Sequence, residues 1–299
     1  MSDAPAEALP YRSVLITGGA GYVGGLLASK LRAEPGGLES IVVADLREVA
    51  ADQRLEGVEY ELADVRSADF AELFRRHRVD LVVHLAAIVT PGPDSTRELE
   101  YQVDVVGTRR VLEACVEAGV RKLIYTSSGA AYGYHADNPE WLDEEDALRG
   151  NPEFPYSDHK RQIEEMLSET RREHPELLQL IFRVSTILGA GTDNQITRIF
   201  DAAKITGLSG TQSPFVIVWD EDVVGAILYG LRRGGAGVFN LTGDGTLTLR
   251  EAAEMMGKPY REVPPWLIRT ALAIAKPLGL SRYGPEPVSY THLRAHETL

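Results

Sequence analysis

Residues 13–25, "SVLITGGAGYVGG", run from an apolar segment through a dense glycine turn into the start of a helix. No other stretch of the chain limits the possible folds as much. Glycines at this spacing let a strand turn tightly into a helix while its backbone comes close to a bound phosphate. Gly18 or Gly19 makes the turn, Gly21 admits a diphosphate, and Gly24 lets the helix pack on the strand. The diphosphate charge then rests on the free N–H groups of the helix N-terminus. A glycine pattern alone is a weak signal. A strand before it and a helix after it make it specific.

The segments that follow repeat the same order. Apolar runs "SIVVAD", "GVEYEL", "VDLVVHLAA", "VRKLIYTSS" and "LLQLIFRV" alternate with stretches of helical period, among them 98–118 and 156–173. Ser67 is the expected N-cap of the helix in "SADFAELFRRH", and Gly119 the expected residue just past the 98–118 helix. The runs are apolar nearly throughout, as in strands covered on both faces. Strand–helix alternation of this kind predicts an α/β fold, a Rossmann-type doubly wound parallel sheet. Beyond residue 185 the order loosens into a helix at 194–205, a strand "PFVIV", a helix at 220–233 and a strand "GVFNL". Thr248 and Glu251 form a capping box, and "PPWLIRTALAIAKPLGL" reads as a Pro-bounded helix packed on the core. The predicted organisation is a disordered lead at 1–11, a dinucleotide-binding domain at 12–185 and a small C-terminal substrate lobe at 186–287, interleaved with the first. Residues 288–299 have the texture of a non-native tail.

Composition excludes several alternatives. The net charge of −13, with no basic stripe, argues against nucleic acid. The single cysteine, Cys115, excludes a disulfide framework and a multi-cysteine zinc site. No metal site is expected, because His84 and His159 lack partners at ligand spacing. No apolar run reaches the roughly 18 residues of a membrane span, and no secretion signal is visible, so a cytoplasmic enzyme is expected.

Asp45 ends the second strand, where a carboxylate accepts both ribose hydroxyls and repels a 2′-phosphate. That favours NAD over NADP, although Arg47 two residues later argues the other way. Asp64 either bonds an adenine amino group or caps a helix. "HLAA" places the small Ala86 and Ala87 after the fourth strand, where a cofactor can lie close or the chain can simply pack tightly. Tyr156 and Lys160 stand four apart, on one face of a helix. An ammonium beside a phenol favours phenolate. Bringing a group of reference pKa about 10 to near neutrality takes roughly 4 kcal/mol of electrostatic help. Ser128, at the end of the fifth strand, is placed to hold a substrate hydroxyl. Tyr132 reads as a packing residue and Cys115 as core. The acidic stretch 142–149 reads as solvated, within a loop at 129–155 long enough to form a substrate lid.

"TGGAGYVG", Asp45, Asp64-Val65, "HLAA", "YTSS…YG" and Tyr156-x-x-x-Lys160 together resemble the extended short-chain dehydrogenase/reductases. Within these the chain is similar to the NAD-dependent epimerase/dehydratase family, of the UDP-glucose 4-epimerase-like kind, over residues 12–287. The resemblance implies Ser128, Tyr156 and Lys160 as catalytic residues. It also implies NAD contacts from Gly18, Gly21, Tyr22, Val23, Gly24, Asp45, Asp64, Val65, Leu85, Ala86, Ala87, Tyr156, Lys160, Val184 and Ser185. The implied substrate is a nucleotide sugar, and the implied assembly a homodimer through the 98–118 and 156–173 helices. Three positions depart from the family pattern. Asp104 stands where Asn is usual, and an ionised carboxylate only accepts hydrogen bonds. Val184 replaces a proline, and Trp219 replaces a histidine. The rival expectations are an NAD-dependent dehydrogenase of a sugar, sugar acid or hydroxysteroid-like alcohol, and a non-catalytic dinucleotide-binding regulator.

Overall fold

The structure, a computed structural model, describes residues 9–92, 94–192, 195–210, 214–233 and 235–275. Seven parallel strands form the central sheet: β1 (Ser13–Thr17), β2 (Ser40–Asp45), β3 (Glu59–Leu62), β4 (Leu81–His84), β5 (Lys122–Ser128), β6 (Leu178–Val184) and, after four short strands, β11 (Gly237–Leu241). Their order across the sheet is β11-β6-β5-β4-β1-β2-β3. The chain starts at β1, winds outward through β2 and β3, then crosses back to β4 and continues the other way. The strand order therefore reverses between β1 and β4, and open α/β sheets bind ligands outside the strand ends at such a point.

Helices α1 (Tyr22–Ala33), α2 (Phe70–Arg76), α3 (Arg97–Tyr101), α4 (Gly107–Ala118) and α5 (Pro155–Glu173) belong to the crossovers. One core layer packs α2, α4 and α5 on the sheet through Phe70, Phe74, Leu112, Cys115, Ile163 and Leu167. The other packs α1 and a later helix, α7 (Asp220–Arg232), on the opposite face through Leu27, Leu31, Val223, Ile227 and Leu231. Cys115 is fully buried, and burial pushes its thiol up. A smaller cluster around Phe200, Ile205, Ala252 and Ala253 lies among the remaining elements. These are β7 (Thr186–Leu188), α6 (Gln195–Asp201), β8 (Ile205–Leu208), β9 (Pro214–Phe215), β10 (Ile217–Trp219), β12 (Leu247–Thr248), α8 (Leu249–Met255), β13 (Tyr260–Val263) and α9 (Pro265–Ala275).

Several local expectations are corrected. Asp69, not Ser67, caps α2, accepting the Glu72 N–H at 2.9 Å. The expected helix at 98–118 is interrupted: Gln102–Val106 forms a single π-turn between α3 and α4. Gly119 does take the left-handed conformation that ends α4. Tyr11, placed in the disordered lead, is buried, with Arg121 stacked on its ring. Helix α9 has no buried residue and leaves Trp266 and Ile274 exposed, contrary to a helix packed on the core. The capping box of Thr248 and Glu251 is present. The expected tail at 288–299 lies outside the described residues.

Candidate active site

Parallel register gathers the strand ends. Thr17 stands opposite His84, His84 opposite Tyr125, and Ser128 opposite Val184. The turn after β1 therefore lies beside the segment after β4. Gly18, with φ +66°, makes the turn; a Cβ there would sit 2.8 Å from the Ala86 nitrogen. A Cβ on Gly24 would sit 2.6 Å from the Gly18 carbonyl oxygen, and one on Gly21 2.9 Å from the same atom. Gly21 starts α1 without a side-chain cap, and no acidic residue stands in the first turn. The N–H groups of Tyr22, Val23 and Gly24 thus begin a helix whose N-terminal partial charge no side chain neutralises.

Asp45 stands at the mouth of this turn. Its Oδ2 accepts the Ala20 N–H at 3.0 Å, and its Oδ1 accepts the Arg47 N–H at 2.9 Å. Arg47 Nε is 3.5 Å from the same carboxylate. Asp64 is held by Arg66 through Nε at 3.0 Å and Nη2 at 2.6 Å, which keeps its carboxyl below the usual range. Val65 is buried against Gly107, where a Cβ would meet its Cγ2 at 2.6 Å. Leu85, Ala86 and Ala87 are half-buried just past β4. A cleft of about 370 Å³ opens next to the turn, lined by Gly19, Ala20, Gly25, Arg47, Gln53 and Tyr60 among others. Tyr22 has a role beyond its N–H: its hydroxyl donates to Asp220 at the start of α7 and accepts the Gly191 N–H at 3.3 Å.

The catalytic candidates come from β5 and α5. Tyr156 and Lys160 occupy the first turns of α5, entered through Pro155 at its first position. Lys160 Nζ lies 5.8 Å from the centre of the Tyr156 ring. It donates to the Tyr125 hydroxyl at 2.8 Å and to the Thr126 carbonyl at 2.9 Å. Burial pulls its pKa down to about 8, opposed by the nearby negative charges of Asp104 and Glu164. Ser128 Oγ, half-buried at the end of β5, accepts the Ala130 N–H at 3.2 Å. Ser185 follows β6, and its buried hydroxyl has no hydrogen-bond partner.

Two residues set aside by sequence reasoning belong to this environment. His84 is fully buried between Thr17 and Thr108, at 2.6 Å and 2.9 Å. Thr108 Oγ1 donates to the Asp104 carbonyl at 2.5 Å, so it accepts from His84, and the ring proton sits on Nε2. Burial, reinforced by Lys160, drives the His84 pKa to about 3 and keeps the ring neutral. His159 is buried and meets the Asp104 carboxylate at 3.2 Å. Their spacing of 55 residues left no sequence signal for the pair.

Tyr132 behaves as the packing residue expected. Its hydroxyl accepts from Arg183 Nη1 at 2.7 Å, and burial pushes the phenol up to about 12. The loop at 129–155 is tied down by later strands. Asn240 Nδ2 donates to the Leu142 carbonyl, Asn240 N–H to Glu144 Oε1, and Arg183 Nη1 to the Glu144 carbonyl. Beneath it, Arg183 grips the buried Glu164 at 2.9–3.1 Å, and Ser127 Oγ donates to the same carboxylate at 2.5 Å.

A close-packed glycine turn at the switch point of a doubly wound sheet, with a Tyr–Lys pair on one face of α5, defines a Rossmann-type scaffold. Residues 14–241 match the model of the NAD dependent epimerase/dehydratase family. The chain belongs to that family, among the extended short-chain dehydrogenase/reductases. It is 26% identical over 255 residues to an uncharacterised protein of Mycobacterium tuberculosis, covering 84% of this chain and 67% of that one. It is 31% identical over 184 residues to UDP-glucose 4-epimerase of Yersinia pestis, covering 59% and 54%. The chain thus spans little more than half the length of that epimerase. Among solved structures, it superimposes on Thermus thermophilus UDP-glucose 4-epimerase in complex with NAD with TM-score 0.69 at 25% identity, covering 84% of this chain and 86% of that one. The structure of MoeE5 with UDP-glucose and NAD gives TM-score 0.69 at 25% identity, covering 84% and 85%.

NAD is the cofactor of the family. The residues present fit it: the glycine turn leaves no room for side chains at Gly18, Gly21 and Gly24, Asp45 lies at its mouth, and the buried Ser185 hydroxyl after β6 has no hydrogen-bond partner among the described residues. Among the described residues no cluster of acidic, histidine or cysteine side chains suits a metal ion, and no helix is long and apolar enough to cross a membrane.

Proposed function

We propose that the protein epimerises, or otherwise converts through reversible oxidation, the sugar of a nucleotide sugar, with Tyr156 as base. The observation that carries this reading is the Lys160 ammonium, buried on the same helix face as Tyr156 and 5.8 Å from its ring. Placed there, the positive charge favours the phenolate. Tyr156 takes the proton of a secondary hydroxyl as its C–H bond gives up a hydride, and returns the proton when the hydride comes back to the carbonyl carbon. NAD, when bound, supplies the hydride acceptor. Ser128 shares the substrate hydroxyl, and Gly18, Gly21, Tyr22, Val23, Gly24, Asp45, Asp64, Val65, Leu85, Ala86, Ala87, Val184 and Ser185 line the cofactor. The reading also includes a homodimer through α4 and α5, to be checked by light scattering.

Interconversion of UDP-galactose and UDP-glucose tests the reaction. Wild type is expected to equilibrate them with no net change in NADH absorbance, and Tyr156→Phe to lose the activity while keeping NAD affinity. An active Tyr156→Phe overturns the assignment. A second reading is favoured by Trp219, half exposed on β10 next to β7. An aromatic surface at that edge suits an apolar alcohol, and net NADH formation with such a substrate selects a dehydrogenase.

A further inference from the structure

Tyr22 and Asp220 are 198 residues apart in the chain and meet where α1 and α7 both begin. Asp220 is 6% exposed. A buried carboxylate is costly unless hydrogen bonds replace its lost hydration. Its Oδ2 accepts the Tyr22 hydroxyl, and its Oδ1 accepts the Glu221 N–H at 2.7 Å. The N-terminal partial charge of the 13-residue α7 favours the negative group further. This carboxylate is held by a phenol and a helix end.

A third element completes the arrangement. Leu188 on β7 stands opposite Trp219 on β10 in parallel register, so Gly189 and Asp220 leave that two-stranded sheet side by side. The chain then turns, with the Thr192 N–H donating to the Gly189 carbonyl at 3.2 Å. This turn lies against the Tyr22 side chain. Gly191 N–H donates to the Tyr22 hydroxyl at 3.3 Å. A Cβ on Gly191 would sit 3.0 Å from Tyr22 Cε2. One on Gly189 would sit 2.7 Å from the Tyr22 hydroxyl oxygen and overlap the Asp220 carboxylate. Glycine at both positions lets the backbone come this close. The hydroxyl is therefore used twice, as donor to the carboxylate and as acceptor from the turn. Tyr22 is also the first residue of α1, where free N–H groups suit a diphosphate. Apolar packing of Leu27 and Leu31 with Val223 and Ile227 joins α1 and α7 but is non-directional. The hydrogen bonds of one phenol fix where α1 starts relative to the 189–192 turn.

We propose that Asp220 is a positioning residue that acts through the Tyr22 hydroxyl: it locks the 189–192 turn against the start of α1 and so slows the escape of bound NAD. The inference rests on the reading of Gly18–Gly24 as the NAD turn, and its test separates the two. Each protein is loaded with NADH, and release is followed as bound-cofactor fluorescence is lost on mixing with excess NAD. Tyr22→Phe is expected to release NADH about tenfold faster, because losing a hydrogen bond to a charged group is felt mainly in the dissociation rate. Asp220→Ala should match it. Asp220→Asn, whose amide oxygen still accepts the phenol, should stay within about twofold of wild type. Tyr22→Phe leaves the buried carboxylate short of a donor, so the double variant Tyr22→Phe/Asp220→Asn is measured beside it. The double variant should release NADH as fast as Tyr22→Phe, since the same tether is lost in both. A merely structural role would lower the melting temperature of the cofactor-free protein and leave the release rate unchanged. That result in Tyr22→Phe or in the double variant overturns the proposal, as does an Asp220→Asn protein that releases NADH as fast as Asp220→Ala. Gly24→Ala is the control for the site. If it weakens NADH binding while Tyr22→Phe releases at the wild-type rate, the NAD turn stands and the tether falls. If neither variant changes NADH binding or release, the reading of the turn falls and the tether with it.

Discussion

Adjacent glycines in the first turns of α1 should respond to alanine with opposite signs. At Gly24 the added Cβ lands 2.6 Å from both the Gly18 oxygen and the Gly19 Cα. Both are backbone atoms, so no side chain can swing away to make room. Gly18 cannot retreat either, because it already abuts the backbone of Leu85 and Ala86. Overpacking of this kind costs about 1–3 kcal/mol, offset in part by the better helix propensity of alanine, about 1 kcal/mol. The effect on binding should be larger than the effect on stability. A turn pushed off the helix by a few tenths of an ångström misaims the N–H groups that meet the diphosphate. NAD affinity is expected to fall at least tenfold, about 1.4 kcal/mol. At Gly25 the added Cβ meets nothing within 4 Å. Only the propensity gain remains, so Gly25→Ala should stabilise the protein by about 1 kcal/mol and raise its melting temperature by about 2 °C. Thermal melts without cofactor and calorimetric titration with NAD measure both. A Gly24→Ala protein that binds NAD like wild type, or a Gly25→Ala protein that melts earlier, refutes the packing argument.

Other consequences follow from the buried network. Arg183→Met strands the Glu164 carboxylate with Ser127 and should cost about 3–5 kcal/mol in urea unfolding. Tyr132→Phe removes a hydroxyl shared by Arg183, Asp143 and Asn240, worth about 1–3 kcal/mol; activity per folded molecule should not change, since a phenol pushed to about 12 is no base near neutral pH. Lys160 is lowered from 10.5 to about 8 in the folded state, so between those values the unfolded chain binds more protons. Its burial penalty, about 3 kcal/mol, is fully felt below pH 8 and is relieved as pH rises toward 10.5. The stability difference between wild type and Lys160→Met should narrow across that window, and a flat difference would falsify the assignment.

What sequence reading captured was local in the chain. The glycine turn, Asp45 at the end of β2 and the four-residue step from Tyr156 to Lys160 are each carried by a short segment whose periodicity or spacing implies geometry. The structure decides between Gly18 and Gly19 through the positive φ of Gly18, which no spacing reveals. Several of the misses are contacts between segments distant in sequence. Nothing in the segment around His159 marks its partner, and only the crossing of α5 with the π-turn sets it against Asp104. The 129–155 loop shows in sequence only its length, not what holds it. It is pinned by Asn240 and Arg183, both from strands later in the chain. The π-turn has no composition signature at all, since Gln102–Val106 continues the helical pattern unbroken.

The direction of hydrogen bonding under the site explains why its charge can be so finely set. The order runs from Thr17 Oγ1 to His84 Nδ1, then from His84 Nε2–H to Thr108 Oγ1, and ends on the Asp104 carbonyl. That carbonyl lies in the π-turn, where the usual helical bonding pattern is displaced, so the threonine takes up an acceptor the helix uses differently. A second proton on His84 would place a cation near Lys160 in a dry environment, and burial together with that lysine's charge keeps the ring neutral. Through Thr108 and His84, the Asp104 carbonyl of the π-turn is tied to Thr17, the last residue of the strand that leads into the glycine turn.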